Sequence, residues 1–243
     1  MYQFFVQEEQ FASDRISILG SDVNHIKNVL RMKAGERVRV SISDNGRSFF
    51  GTIDTITEDE VVVSIESEDE NGTELANKIY LFQGLPKGYK MELIIQKAVE
   101  LGVYEIIPVA MKNCVVKLDD KKAASKVKRW QAISESAAKQ SKRTLIPEIK
   151  MPLSWKNALE VAKDLDVVLV PYENERGMEA TREVLQRIKP GQSIGIFVGP
   201  EGGFAPEEIE MVTGHRISLG RRILRTETAG LATLSMLIFC LDE

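Results

Sequence analysis

From residue 77 onward, short apolar runs alternate with helical patterns, and no other feature restricts the fold as much. Lys78–Gly84 carries Ile79, Leu81 and Phe82, and further short strands are read at 103–109, 166–171, 194–198 and 216–219. Runs this brief, bounded by turn residues, suit strands buried on both faces. Between them, 89–101 places Met91, Ile94, Ile95, Ala98 and Leu101 on one stripe, and 121–143 does the same with Val127, Trp130, Ile133 and Ala137. Leu159 and Ala162 help to bury another helix, and 178–188 is a helix halted by Pro190-Gly191. Alternation of this kind predicts a mostly parallel sheet covered by helices on both faces.

Two strands near the C-terminus empty into loops suited to chemistry. The first leads into Gly199-Pro200-Glu201-Gly202-Gly203-Phe204, too rich in glycine and proline for regular structure, and Pro206-Glu207-Glu208 then opens a helix. The second, 216–219, leads into Gly220-Arg221-Arg222-Ile223-Leu224-Arg225-Thr226-Glu227-Thr228, followed by a helix over about 229–241 that is apolar on nearly every side. Ligands of open α/β sheets gather at the carboxyl ends of strands, so the site is expected there.

The first 66 residues read differently. Phe4-Phe5-Val6 begins a strand, and Ser21 caps a short helix with Val23, Ile26, Val29 and Leu30 on one face. Alternating segments at 37–43, 47–56 and 60–66 follow, the first two joined by Asp44-Asn45-Gly46, a tight-hairpin signature. This pattern predicts a closed or half-closed barrel of a size often used to bind RNA. The acidic stretch 66–74 reads as an interdomain linker.

Charge bears on the partner. The net charge of −4 argues against nucleic acid, but the distribution is segregated. Lysines and arginines crowd 121–143 and 27–39, whereas acids gather at 58–60 and 66–74, so phosphate can be met locally. A solvated helix face accounts for the 121–143 cluster equally well. The N-terminus lacks a basic start and a long apolar stretch, and the last helix is shorter than the roughly 20 residues of a membrane span, so a cytoplasmic protein without a membrane partner is expected. Cys114 and Cys240 read as reduced core thiols. With two histidines, His25 and His215, far apart in sequence, no metal site is expected. The first glycine loop lacks the lysine and hydroxyl of a nucleotide phosphate loop.

The second loop adds specificity. Leu219-Gly220-Arg221-Arg222-Ile223-Leu224-Arg225-Thr226-Glu227-Thr228-Ala229 resembles the C-terminal signature of the ribosomal-RNA uridine N3-methyltransferases, members of the SPOUT class. Val198-Gly199-Pro200-Glu201-Gly202-Gly203-Phe204 is similar to that family's cofactor loop, and Gln96-Lys97-Ala98-Val99-Glu100-Leu101-Gly102-Val103 to its first helix. Trp130 with Gln140 and Arg143 is similar to its long helix, and His25 with Val29-Leu30-Arg31 to its small RNA-binding domain. These matches fall in the family's order and extend over the whole chain.

The resemblance implies an α/β fold with a PUA-like β-barrel RNA-binding domain over 1–70 and a SPOUT methyltransferase domain over 75–243. The mostly parallel sheet of the latter would be threaded into a trefoil knot. It implies S-adenosylmethionine as cofactor, held by Leu169, Val170, Pro171, Val198, Gly199, Pro200, Glu201 and Gly202 from the first loops. Leu219, Gly220, Ile223, Leu224, Thr226 and Ala229 would complete that site. The substrate implied is N3 of a uridine in 16S ribosomal RNA of the small subunit. Transfer RNA, another ribosomal position, or a non-catalytic role in ribosome assembly are the alternatives.

Uracil N3 must shed its proton and attack as an anion. Arg225 would stabilise that charge, and Glu201 or Glu227 would orient Arg225 or take the proton. Glu227 equally suits the last helix's N-terminus, Glu201 a turn, and Thr226 a helix cap. RNA contacts are expected at His25, Arg31, Lys97, Gln140, Arg143 and Arg221, although Lys97 and Glu100 also suit a surface pair. The apolar final helix and the family's habit both imply a homodimer. Three positions depart from the family pattern: Gln3 where an arginine is usual, Asn113 after Lys112 just before Cys114, and Lys139 where an acid is common.

Overall fold

The computed structural model describes residues 1–241; Asp242 and Glu243, the last two positions of the expected C-terminal domain, lie outside the described residues. The chain forms two compact units. Met1–Glu74 groups with Ala138–Ile146, and Leu75–Ala137 with the chain from Pro147 on.

In the first unit, β1 (Tyr2–Val6), β2 (Phe11–Ala12), β3 (Arg15–Leu19), β4 (Arg37–Ile42), β5 (Ser48–Ile56) and β6 (Glu60–Glu68) form one curled six-stranded sheet. Its order is β1-β4-β5-β6-β3-β2, antiparallel except for the parallel pair β1 and β4. Alternate residues such as Phe4, Val6, Val38, Val40, Ile42, Val61 and Val63 fill the core, as the period-two pattern requires. The hairpin turn forms as its sequence predicts: Gly46 sits at φ +71°, and Asn45 Oδ1 accepts the Arg47 amide at 2.9 Å.

Three expectations for this unit change. Ser21 does not cap the short helix: it is its first residue, the cap position falls on Gly20, and no side chain bonds there. The short helix α1 (Ser21–Asn24) continues as a π-turn over His25–Val29. The wider turn takes Val29 off the buried face, leaving it 62% exposed, while Leu30 packs on the core as expected. The acidic stretch read as a linker begins as strand, since β6 runs to Glu68. Its far end is tied down as well: Glu74 accepts from Arg143 Nε at 2.9 Å and from the Thr144 amide at 2.8 Å.

In the second unit β7 (Lys78–Gly84), β8 (Glu105–Ala110), β9 (Glu148–Ile149), β10 (Leu153–Ser154), β11 (Val167–Pro171), β12 (Ser193–Val198) and β13 (His215–Ile217) make a seven-stranded, wholly parallel sheet. The order β10-β8-β7-β12-β11-β13, with β9 beside β8, brings β12 directly against β7. Strand order reverses between that pair, and ligand crevices form at such points. Phe82 and Phe197 stack across the two strands with centroids 4.3 Å apart.

The helices are α2 (Lys90–Glu100), α3 (Asp120–Ser141), α4 (Trp155–Ala162), α5 (Glu179–Arg187), α6 (Pro206–Met211) and α7 (Thr226–Leu241). The stripe predicted for α2 is buried at Met91, Ile94, Ile95 and Ala98. Ser154 Oγ accepts the Asn157 amide and caps α4, and Pro206 occupies the first turn of α6. α7 begins at Thr226, earlier than the apolar run suggested, and packs on α2 and β12. Cys114 is buried as expected. Cys240 is not a core thiol: it is exposed, because an all-apolar helix does not reveal from sequence which side is covered.

Candidate functional site

A cleft of about 410 Å³ opens at the carboxyl ends of β11, β12 and β13. Each strand hands over its last residues to the wall: Pro171 and Tyr172 from β11, Val198 and Gly199 from β12, Ser218 and Leu219 after β13. The predicted positions that line it are Pro171, Val198, Gly199, Pro200, Glu201, Leu219, Gly220, Ile223, Leu224, Arg225, Thr226 and Ala229. Leu169 and Val170 are buried in β11 and do not face the cleft. Gly202 and Glu227 are not on its wall either.

The two loops are joined by a neutral bridge. Thr226 Oγ1 donates to the Gly199 carbonyl at 2.6 Å and accepts from Gln83 Nε2 at 2.9 Å. Gln83 is fully buried at the end of β7, and its Nε2 also donates to the Gly84 carbonyl at 3.0 Å. Gly84 is required for close approach: a Cβ there would lie 2.7 Å from both the nitrogen and Cδ of Pro200. Gly220 serves the other need, with φ +103°, where side chains are strained. On the far side of the first loop, Asn113 Nδ2 donates to the carbonyls of Gly202 (3.0 Å) and Gly203 (3.2 Å).

A charged bridge also runs between the loops. Lys90 Nζ donates to Glu201 Oε1 at 2.9 Å and lies 3.4 Å from Glu227 Oε2. The Lys87 amide donates to the same Glu201 oxygen at 3.0 Å. Burial opposes ionisation of Glu201, but hydrogen bonds from Lys90 and from backbone amides outweigh it and hold the carboxyl below its ordinary value. The bond to Glu201 raises Lys90 above the ordinary lysine value. Both carboxylates thus meet Lys90. Arg225 is exposed and makes no ion pair among the described residues, which leaves its guanidinium open to an anion.

The wall also contains Gly203, Phe204 and Arg222 of the two loops, and residues to which the sequence pointed no role: Lys90, Tyr172, Glu173, Glu175, Arg176 and Ser218. Lys90 had a usable signal, since it opens the helix that follows β7, at the same sheet end as the glycine loops. Chemically, the cleft offers an apolar slot between backbone-rich loops, fitted to a planar heterocycle on a sugar, with cations at its edge for an anionic reactant.

The residues expected to meet RNA are placed as follows. His25, Arg31, Gln140 and Arg221 are exposed, and Arg31 adopts a left-handed φ of +53° at the end of the π-turn. Lys97 pairs with Glu100 at 2.8 Å within α2. Arg143 is 3% exposed and engaged by Glu74. The departures from the family pattern have structural occupations. Gln3 is buried, donating to Ser41 Oγ at 3.1 Å and accepting from Arg39 Nη1 at 3.0 Å, and Lys139 pairs with Asp22 at 3.0 Å. Asn113 braces the first glycine loop. Among the described residues no group of three or more His, Cys, Asp or Glu is arranged to hold a metal ion, and no helix is long and apolar enough to cross a membrane.

Comparison with known proteins is consistent along the chain. Residues 73–238 match the RNA methyltransferase domain family and residues 18–66 the RNA methyltransferase PUA domain family. The chain is 38% identical to ribosomal RNA small subunit methyltransferase E of Bacillus subtilis, over 98% of its own length and 96% of that protein's. It is 35% identical to the protein of the same name from Mesomycoplasma hyopneumoniae, over 98% and 99%. The crystal structure of ribosomal RNA small subunit methyltransferase E from Neisseria gonorrhoeae, bound to S-adenosyl methionine, superposes with a TM-score of 0.83 at 30% identity, covering 98% of this chain and 97% of that one.

Proposed function

Since this chain belongs to the RNA methyltransferase family, with the family's PUA domain ahead of its methyltransferase domain, we propose that it methylates N3 of a uridine in 16S ribosomal RNA. Methylation of small-subunit ribosomal RNA with S-adenosylmethionine is the coarser activity on which that reading builds. The observation that carries it is the closure of both glycine-bearing loops on one cleft, with an unpaired Arg225 on the wall.

The cleft fits the donor. Val198, Leu219, Leu224 and Ala229 supply apolar surface for adenine, and the loops around Gly199 and Gly220 bring peptide groups within reach of its polar edge. S-adenosylmethionine, when bound, supplies a methyl group on a sulfonium that departs as a neutral thioether. The chain's own task is therefore alignment and the management of charge. Arg225 stabilises the negative charge on the uracil oxygens as N3 loses its proton. Glu201 and Glu227, both against the Lys90 ammonium, act on the loops rather than on Arg225. His25, Arg31 and Gln140 in the first unit, and Arg221 in the second, are the exposed groups we assign to RNA.

We extend the proposal to assembly and place. α7 is apolar all round, yet Phe239 is 90% exposed on it, which supports a homodimer that covers this helix. The knot expected of a SPOUT domain and a cytoplasmic location complete the reading. Titration calorimetry with S-adenosylmethionine at two temperatures tests its base: saturable binding is expected, and no heat at either temperature contradicts it.

A further inference from the structure

We propose that Lys90 is a positioning residue of this cleft, whose ammonium clamps the carboxylates of Glu201 and Glu227 and so holds the two glycine-bearing loops at the spacing the donor requires. The proposal rests on the reading of the cleft as the S-adenosylmethionine site.

The clamp joins three strand ends that are far apart in sequence. Lys90 opens α2 after β7, Glu201 belongs to the loop after β12, and Glu227 stands in the first turn of α7 after the β13 loop. One nitrogen meets Glu201 at 2.9 Å and Glu227 at 3.4 Å, so the two carboxylates are close to each other as well as to it. Their side chains are 28% and 17% exposed, which limits screening by solvent. Take the ammonium away and two like charges face one another across the junction of the loops. The bridge from Thr226 to Gly199 survives such a change because its groups are neutral. It cannot offset the repulsion, which falls on neighbouring residues of the same two loops.

This role predicts a pH signature that loss of packing does not produce. With Lys90 present, Glu201 is held below its ordinary value, so the clamp is intact above that value and fails only in acid. Donor affinity of the unaltered protein is then level between pH 5.5 and 8. Without Lys90, burial and the facing carboxylate of Glu227 push Glu201 up against its remaining backbone hydrogen bonds, and it takes a proton as the pH falls. Repulsion then disappears and affinity returns. The other charged groups on the cleft wall are Arg222, Arg225, Glu173, Glu175 and Arg176, and no histidine lines it. Cys114, pushed up by burial, stays a thiol throughout.

The experiment measures S-adenosylmethionine affinity at pH 5.5, 7 and 8 for the full-length protein and for Lys90→Met, Lys90→Arg and the triple variant Lys90→Met/Glu201→Gln/Glu227→Gln. Lys90→Met is expected to bind about 10-fold more weakly at pH 8 and to recover most of that loss at pH 5.5. Lys90→Arg should restore most of the affinity at every pH, and the triple variant, which has neither cation nor anions, should bind at least about threefold more tightly than Lys90→Met at pH 8. Lys90→Met binding normally, or weakly by the same factor at all three values, overturns the proposal. So does a triple variant as weak as Lys90→Met, or one that fails to fold alongside it. Folding of the triple variant where Lys90→Met does not fold supports the proposal. An unaltered protein that binds no donor overturns the cofactor reading itself, a result distinct from all of these.

Discussion

Replacing Thr226 by Val tests the neutral bridge between the loops. The change keeps the shape of the side chain and removes Oγ1, which accepts from Gln83 at 2.9 Å and donates to Gly199 at 2.6 Å. Thr226 is 7% exposed and Gln83 is fully buried, so water cannot replace the lost acceptor at Gln83. One N–H of the buried Gln83 amide is then left without a partner, while the other still donates to Gly84, at a cost of about 1–3 kcal/mol. The Gly199 carbonyl lies on the cleft wall, where water reaches it, and adds less than about 1 kcal/mol. The expected loss is therefore about 1–4 kcal/mol, centred on about 2 kcal/mol. For a chain of this size that centre corresponds to a fall in melting temperature of roughly 4–8 °C. Thr226→Ser keeps the hydroxyl and gives up only a methyl group, so its loss should stay near about 1 kcal/mol. Thermal unfolding of the three proteins, each with and without S-adenosylmethionine, reads both stability and coupling to the site. A Thr226→Val protein as stable as Thr226→Ser would refute the bridge.

Other outcomes follow from the same geometry. Arg225→Ala should keep S-adenosylmethionine affinity and lose methyl transfer by about 100-fold or more, as when one group that stabilises developing negative charge is removed; unchanged turnover would remove Arg225 from the chemistry. Gly84→Ala drives a methyl group to 2.7 Å from Pro200 and should cost about 1–3 kcal/mol of donor binding while the fold persists, read by calorimetry beside circular dichroism. Sedimentation at micromolar concentration should give a dimer, and Phe239→Glu should convert it to monomer; a monomeric unaltered protein would count against the role assigned to α7.

Sequence patterns near in the chain were readable, and contacts distant in it were not. The parallel sheet, α2 and both glycine loops were legible because apolar period and turn residues act over a few positions. Lys90 escaped notice because its significance lies in Glu201, 111 residues later. Gln83 was a polar residue at the end of an apolar strand, and only its bond to Thr226, 143 residues away, explains it. Arg143 matched an RNA-contact pattern, yet the carboxylate that engages it, Glu74, stood in a run that looked like solvated linker. Val29 departs from its helix pattern because that pattern assumes turns of 3.6 residues, and the π-turn there is wider. Cys240 illustrates a different limit: where every face of a helix is apolar, periodicity carries no information about which face is buried.

The most direct test of the account is transfer of labelled methyl from S-adenosylmethionine to small ribosomal subunits and to stripped RNA lacking the modification, followed by nucleoside mapping. The account predicts label in 3-methyluridine at one position of 16S RNA. Label in another nucleoside, in transfer RNA alone, or in no RNA at all would contradict it.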